Sequence, residues 1–299
     1  MQLGGHTVAM GLCDDVRASC ARIAADASWV RIDLDAAGAV TPAPPPPLDG
    51  RIHYLEGTPA DVATYMLCVD TVNFGSGWFP TLNKRAGCSG YMTIAWAIAD
   101  RFRADGAWSN DELRAMRADE LAETLGQRRD HELMALYAQA LRELGRFLGT
   151  RDAAALVLEA HGSAERFAEM LASGMALFAD RGFYKRAQIA AADLALAGVA
   201  SFGDLHRLTI FADNLVPHVL RCDGVLRYDE RLAAHIDAGL LLRPGEQERE
   251  IRACAVHACA LIATRGGASE HELDYWLWNR GQAPEYKARP RHRTRCVYY

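Results

Sequence analysis

Residues 59–74, PADVATYMLCVDTVNF, decide the fold class. Val62, Tyr65, Met66, Val69 and Val72 recur at intervals of three and four, the period of one helix face. Pro59 suits a first helical turn, where a missing N–H leaves no bond unmade. The same period continues downstream. SGYMTIAWAIADRFRADG has Ser89 as a natural N-cap and Gly106 as a stop. Further helices are predicted over 111–125, 130–148, 151–159, 163–173, 184–197, 203–222, 229–238, 246–265 and 269–280, with no repeat of fixed period. Upstream, 8–27 reads as helix. WVRIDL (29–34) and RIHYL (51–55) read as short strands around TPAPPPPLDG, a proline run that is extended and cannot be helix. The expected fold is mainly α. It is a single multi-helix domain over 1–299, with a helical core from 59 and a small irregular or β appendage over 1–58.

Bulk properties narrow the function. The 299 residues carry a net charge of −5 and are 50% hydrophobic, which is globular composition. The balance is mildly acidic and the only basic cluster runs from Arg289 to Arg295, so no nucleic-acid duplex is expected as partner. No apolar run reaches the roughly 18 residues that a membrane helix needs. The first residues lack a signal peptide's basic region and apolar core. Eight cysteines are scattered without a C-x-x-C pair, as in a cytoplasmic chain with reduced thiols. Cys254 and His257 share a helix face, but Cys259 lies well round from it and no second ligand pair follows, so no metal is expected. Phosphate-loop, dinucleotide and serine-hydrolase signatures are missing.

Several stretches carry candidate chemistry. TIFADNLVPHVLR (209–221) looks like a buried helix through Ile210, Phe211, Leu215, Val216, Val219 and Leu220. Asp213 and Asn214 interrupt it, and Pro217 should kink it. A carboxylate in such surroundings is either functional or caps the kink, and spacing leaves both open. In FYKRAQIAAADLAL (183–196), Lys185 opposes the helix dipole at the first turn. It either snorkels to water or meets an anion. DTVNFGSGWFP (70–80) sets Asp70, Asn73 and Phe74 at a helix end before a glycine-rich loop, either as pocket or as core plug. DYWLWNRG (274–281) offers Asp274, Tyr275 and Trp278 as stacking or packing surface.

Taken in order, TPADVATYMLCVDTVNF, CSGYMTIAWAIADRF, FYKRAQIAAADL, TIFADNLVPHVLR, EIRACAV, DYWLWNRG and HRTRCVYY resemble the queuosine salvage proteins, the queuosine 5′-phosphate N-glycosylase/hydrolases. The resemblance implies an all-α fold related to helix-hairpin-helix DNA glycosylases. It implies hydrolysis of queuosine 5′-monophosphate, a small-molecule nucleotide, to queuine and ribose 5-phosphate, with no cofactor and no metal. Asp213 and Lys185 become the catalytic candidates, and His53, Asp70, Asn73, Phe74, Asp274, Tyr275 and Trp278 the substrate-binding ones. Asp213 would stabilise the oxocarbenium-like state and activate water, with Lys185 beside it. Phe74 would stack on the base, and Asp70 or Asp274 would meet the cationic 7-aminomethyl group. Arg293, Arg295, Tyr298 or His53 would take the phosphate. Asn214 and Leu215 depart from the Tyr and Arg of some relatives. Two rivals are a DNA or RNA base glycosylase and a non-catalytic nucleoside-binding module.

Overall fold

The computed structural model describes residues 11–299. Its helices are α1 (Leu12–Asp26), α2 (Leu34–Ala39), α3 (Pro59–Thr71), α4 (Gly90–Asp105), α5 (Asn110–Ala115), α6 (Ala118–Thr124), α7 (Glu132–Leu148), α8 (Ala153–Glu159), α9 (Ala164–Gly174), α10 (Lys185–Leu196), α11 (Val216–Cys222), α12 (Glu230–Asp237), α13 (Glu246–Gly266), α14 (Glu270–Arg280) and α15 (Pro284–Lys287). Among the described residues two strands pair: β1 (Val30–Ile32) runs antiparallel to β2 (Leu226–Tyr228), with Val30 opposite Tyr228. Mainly α is therefore the observed class.

The centre is α3. Thr58 caps it by accepting from Asp61 N–H, and Pro59 fills its first turn. Its expected apolar face is buried, and so are Leu67 and Cys68 on the other sides, because α4, α7, α8 and α10 surround it. α4 opens with the Ser89 side chain accepting from Met92 N–H and closes at Gly106 with φ +84°. The N-terminal portion packs into the rest. α1 lies along α13, β1 pairs with a strand nearly two hundred residues on, and the N–H groups of Ser28, Trp29 and Val30 donate to Glu250 on α13.

Four expectations need correction. The segment 111–125 is two helices, because the Met116 carbonyl accepts from Arg142 (2.7 Å) instead of continuing a helix. Residues 51–55 are not a strand, since Ile52 and His53 both turn their N–H groups onto Asp49 O. The helix expected over 8–27 starts at Leu12, and residues 8–10 lie outside the described ones. The helix expected over 203–222 is mostly absent: a single 3-10 turn (Leu205–Arg207) precedes a stretch without regular structure, and α11 begins only at Val216. Pro217 sits in the first turn of α11 rather than kinking a longer helix. α2, β2 and α15 were not expected. Among the described residues no helix is long and apolar enough to cross a membrane.

Candidate active site

A cavity of about 220 Å³ opens where the end of α3, the start of α10, the stretch 208–215 and α14 meet. Pro46, Pro47, Leu48 and Asp49 form part of its wall, so the proline run borders the site. Of the nine expected site residues, eight line the cavity: His53, Asn73, Phe74, Lys185, Asp213, Asp274, Tyr275 and Trp278. Asp70 is fully buried one layer behind, within reach of Asn73 Nδ2 (3.5 Å).

The stretch 208–215 is mostly buried and irregular, so its backbone polar groups need partners that neither helix nor sheet provides. Side chains supply them. Thr209 N–H donates to Gln188 Oε1 (2.9 Å) and Phe211 N–H to Asp274 Oδ1 (2.8 Å). Ala212 O accepts from Arg252 Nε (2.9 Å). Asp213 Oδ1 accepts from the N–H groups of Leu215 (2.7 Å) and Val216 (3.0 Å), capping α11. Among the described residues no donor reaches its Oδ2. Asn214 Nδ2 donates to His292 O (3.1 Å), fastening the C-terminal segment to this stretch. Capping and lining the cavity are thus both properties of Asp213.

Arg252 is itself fixed by Asp180, which accepts from both of its terminal nitrogens (3.1 and 2.5 Å), and by the Phe183 ring, 3.9 Å from the guanidinium carbon to the centroid. Tyr184, just before α10, is left-handed with φ +50°, a conformation that costs a non-glycine residue on the order of 1 kcal/mol. That turn brings Lys185 into the interior, 4% exposed, with Nζ donating to Asn73 O (3.2 Å). Burial pushes its ammonium below the ordinary lysine value, opposed first by the charge of Asp213 and then by Asp70.

The other carboxyls respond to burial. Asp274 is pushed up to about 8, by desolvation first and by the Asp213 charge second. Asp193 is pushed up to about 6 by burial, although the Tyr275 hydroxyl donates to it. Asp70 rises well above the usual carboxylate range through burial and the Asp193 charge. His53 bonds Asp49 O and Tyr91 Oη (both 3.2 Å), and burial favours its neutral form. Phe74 carries Arg186 over its ring (4.7 Å) and Tyr137 against its edge, so only part of the ring meets the cavity. Gly77 in the adjoining loop abuts the C-terminal segment: a Cβ there would lie 2.6 Å from Thr294 O.

Residues 52–299 match the sequence model of the queuosine salvage protein family. A Sphaerobacter thermophilus protein named queuosine 5′-phosphate N-glycosylase/hydrolase is 32% identical, over 93% of this chain and 95% of its own. This chain belongs to the queuosine salvage protein family. Proteins of the same name from Mus musculus (40% identical, over 39% of this chain and 40% of theirs) and Nematostella vectensis (28%, over 84% and 85%) are also similar.

For a queuosine salvage protein, three of the four phosphate candidates stand elsewhere. Arg293 donates to Gly239 O (2.7 Å), Arg295 pairs with Glu132 (3.3 Å), and Tyr298 lines a separate groove. Arg291 lines the cavity instead; burial pushes its guanidinium below the ordinary arginine value, opposed by the Asp213 charge. Motif reading also missed Asp193, the lone acid in the alanine-rich α10, and Arg252, which reaches the site only through a backbone carbonyl. Among the described residues no group of three His, Cys, Asp or Glu side chains could hold a metal ion. Cys254 and Cys259 are buried on α13.

Proposed function

We propose that this chain hydrolyses the N-glycosidic bond of queuosine 5′-monophosphate to queuine and ribose 5-phosphate. The observation that carries the reading is that Asp213 and Asp274 line one cavity in different surroundings, Asp274 accepting from the N–H of Phe211, two residues before Asp213, and Asp213 from the Leu215 N–H. Two carboxyls whose environments separate their protonation can divide base and acid roles.

As the C1′–N9 bond breaks, its electron pair leaves with the base and positive charge grows on the ribose. Asp213 stabilises that charge and takes the proton of the attacking water. A 7-deazapurine has carbon at position 7, so the departing base must be neutralised elsewhere on its edge. Asp274, held protonated up to about pH 8, supplies that proton and is recharged from solvent. Lys185 holds charge balance behind Asp213 and fixes the Asn73 carbonyl. Arg291 takes the 5′-phosphate, and the part of the Phe74 ring that lines the cavity meets the base.

Mixing the purified chain with queuosine 5′-monophosphate and separating the products by chromatography tests the reading. Free queuine should accumulate, more slowly from unphosphorylated queuosine, and no free guanine should appear from GMP. No release of queuine from the 5′-monophosphate at any pH between 5 and 9 overturns it.

A further inference from the structure

Asp193 follows Lys185 by eight residues on α10, which places it about 12 Å along the helix at 1.5 Å per residue. It lines the same cavity as Asp213, as do Tyr91 and Trp278, which meet edge to face (centroids 5.7 Å apart). The Tyr275 hydroxyl donates to its Oδ1. Behind it lies Asp70, fully buried, with Oδ2 receiving no donor among the described residues and its carboxyl close enough for the Asp193 charge to act on it.

Two ionised carboxylates only accept, so they can bond one another only through a proton held between them. The pair therefore carries one proton and shows one negative charge. The Tyr275 donor selects where each goes: the charge on Asp193 at the wall, the proton on Asp70 behind. The groups facing Asp193 do not neutralise it. Tyr91 on α4 and Tyr275 on α14 are neutral phenols, Asp274 and Asp70 are carboxyls, and burial favours neutral His53. Among the described residues Lys185 is the one cation close enough to register, and the first charge acting on it is that of Asp213. A buried carboxylate without a full counter-charge is costly, and aromatic walls beside it favour an organic cation.

We propose that Asp193, backed by Asp70 and Tyr275, is the subsite that binds the ammonium of the 7-substituent and so separates this substrate from unsubstituted guanine-type nucleotides. The inference rests on the reaction proposed above. Bond breaking at C1′ then occurs at the Lys185 end of α10 while the substituent is read at the Asp193 end.

The test compares kcat/KM for queuosine 5′-monophosphate with that for 7-deazaguanosine 5′-monophosphate, which lacks the substituent. The wild-type chain should prefer the former by about tenfold or more, the scale of a charge-assisted contact. Asp193→Asn should lower that preference about tenfold, toward unity. Tyr275→Phe keeps the carboxyl but removes its donor, and should lower the preference about threefold; it stands in should Asp193→Asn fail to fold. An unchanged preference in the folded Asp193→Asn variant, or in Tyr275→Phe when that variant stands in, overturns the proposal. So does a parallel fall for both substrates, which would mark Asp193 as a reader of the shared guanine edge. Equal cleavage of both by the wild-type chain sinks the subsite but leaves the reaction standing. Cleavage of neither sinks the reaction itself.

Discussion

The two ends of α10 hold the same side-chain chemistry in opposite settings. Near Lys185, Asp213 is only partly buried, accepts two backbone amides, and has Lys185 and Arg291 as cationic neighbours. Near Asp193, a second carboxyl stands beside the first, Lys185 is shared with Asp213, and among the described residues a phenol is the only donor. Amides and cations favour charge, whereas burial and a like neighbour favour a proton. The contrast shows how carboxyls beside the two ends of one helix can meet opposite surroundings without any change of residue type.

Removing the first end should have the largest effect. Asp213→Asn can still cap α11, because an amide oxygen accepts the Leu215 and Val216 N–H groups. It cannot act as a base, so queuine release should fall about a thousandfold while the thermal midpoint stays within a few degrees. Near wild-type turnover would take Asp213 out of the role.

Asp274→Asn comes next, with a loss of about a hundredfold. Its raised value means that the donor is present below about pH 8 and lost above it. Wild-type kcat should therefore decline as pH rises through that point, and the decline should vanish in the variant. A basic limb that survives the substitution would assign the proton to another group. The same sign governs stability. The folded state favours protonated Asp274, so this contribution weakens as pH climbs from the ordinary carboxylate range toward 8.

Lys185→Ala should lower kcat about tenfold with little change in KM, since its partners are Asp213 and the Asn73 carbonyl. A rise in KM alone would make it a binding residue. The smallest effect belongs to Asn214→Ala. Losing its bond to His292 O should cost about 1 kcal/mol in urea unfolding and leave turnover within a few-fold. A large drop in turnover would show that the C-terminal segment positions Asp213.

What could be read from residue order alone follows from where backbone bonds go. In α3 the bonds are internal, so the apolar period and the Thr58–Pro59 start were enough. The stretch 208–215 shows an equally apolar pattern, but its bonds run to Gln188, Arg252 and Asp274, which no local pattern reveals. The expected helix failed for that reason, and the proline taken as a kink turned out to start α11. Eight of nine candidate residues share one cavity; Asp193 lies inside the FYKRAQIAAADL stretch but the resemblance gives it no role there, although a single acid among alanines and leucines was a visible signal. Arg291 could not be separated from its basic neighbours, since which of them turns inward depends on anchors such as Gly239 O and Glu132.

The side-chain scaffold around Asp213 bears on how activity is acquired. Its supports lie 21, 40 and 63 residues from the backbone groups they hold. Contacts of that separation close late, after local helices have formed. Refolding should thus restore helical signal well before turnover, and turnover should return in one step with the last tertiary contacts. A partly folded intermediate of this chain would be helical and catalytically silent.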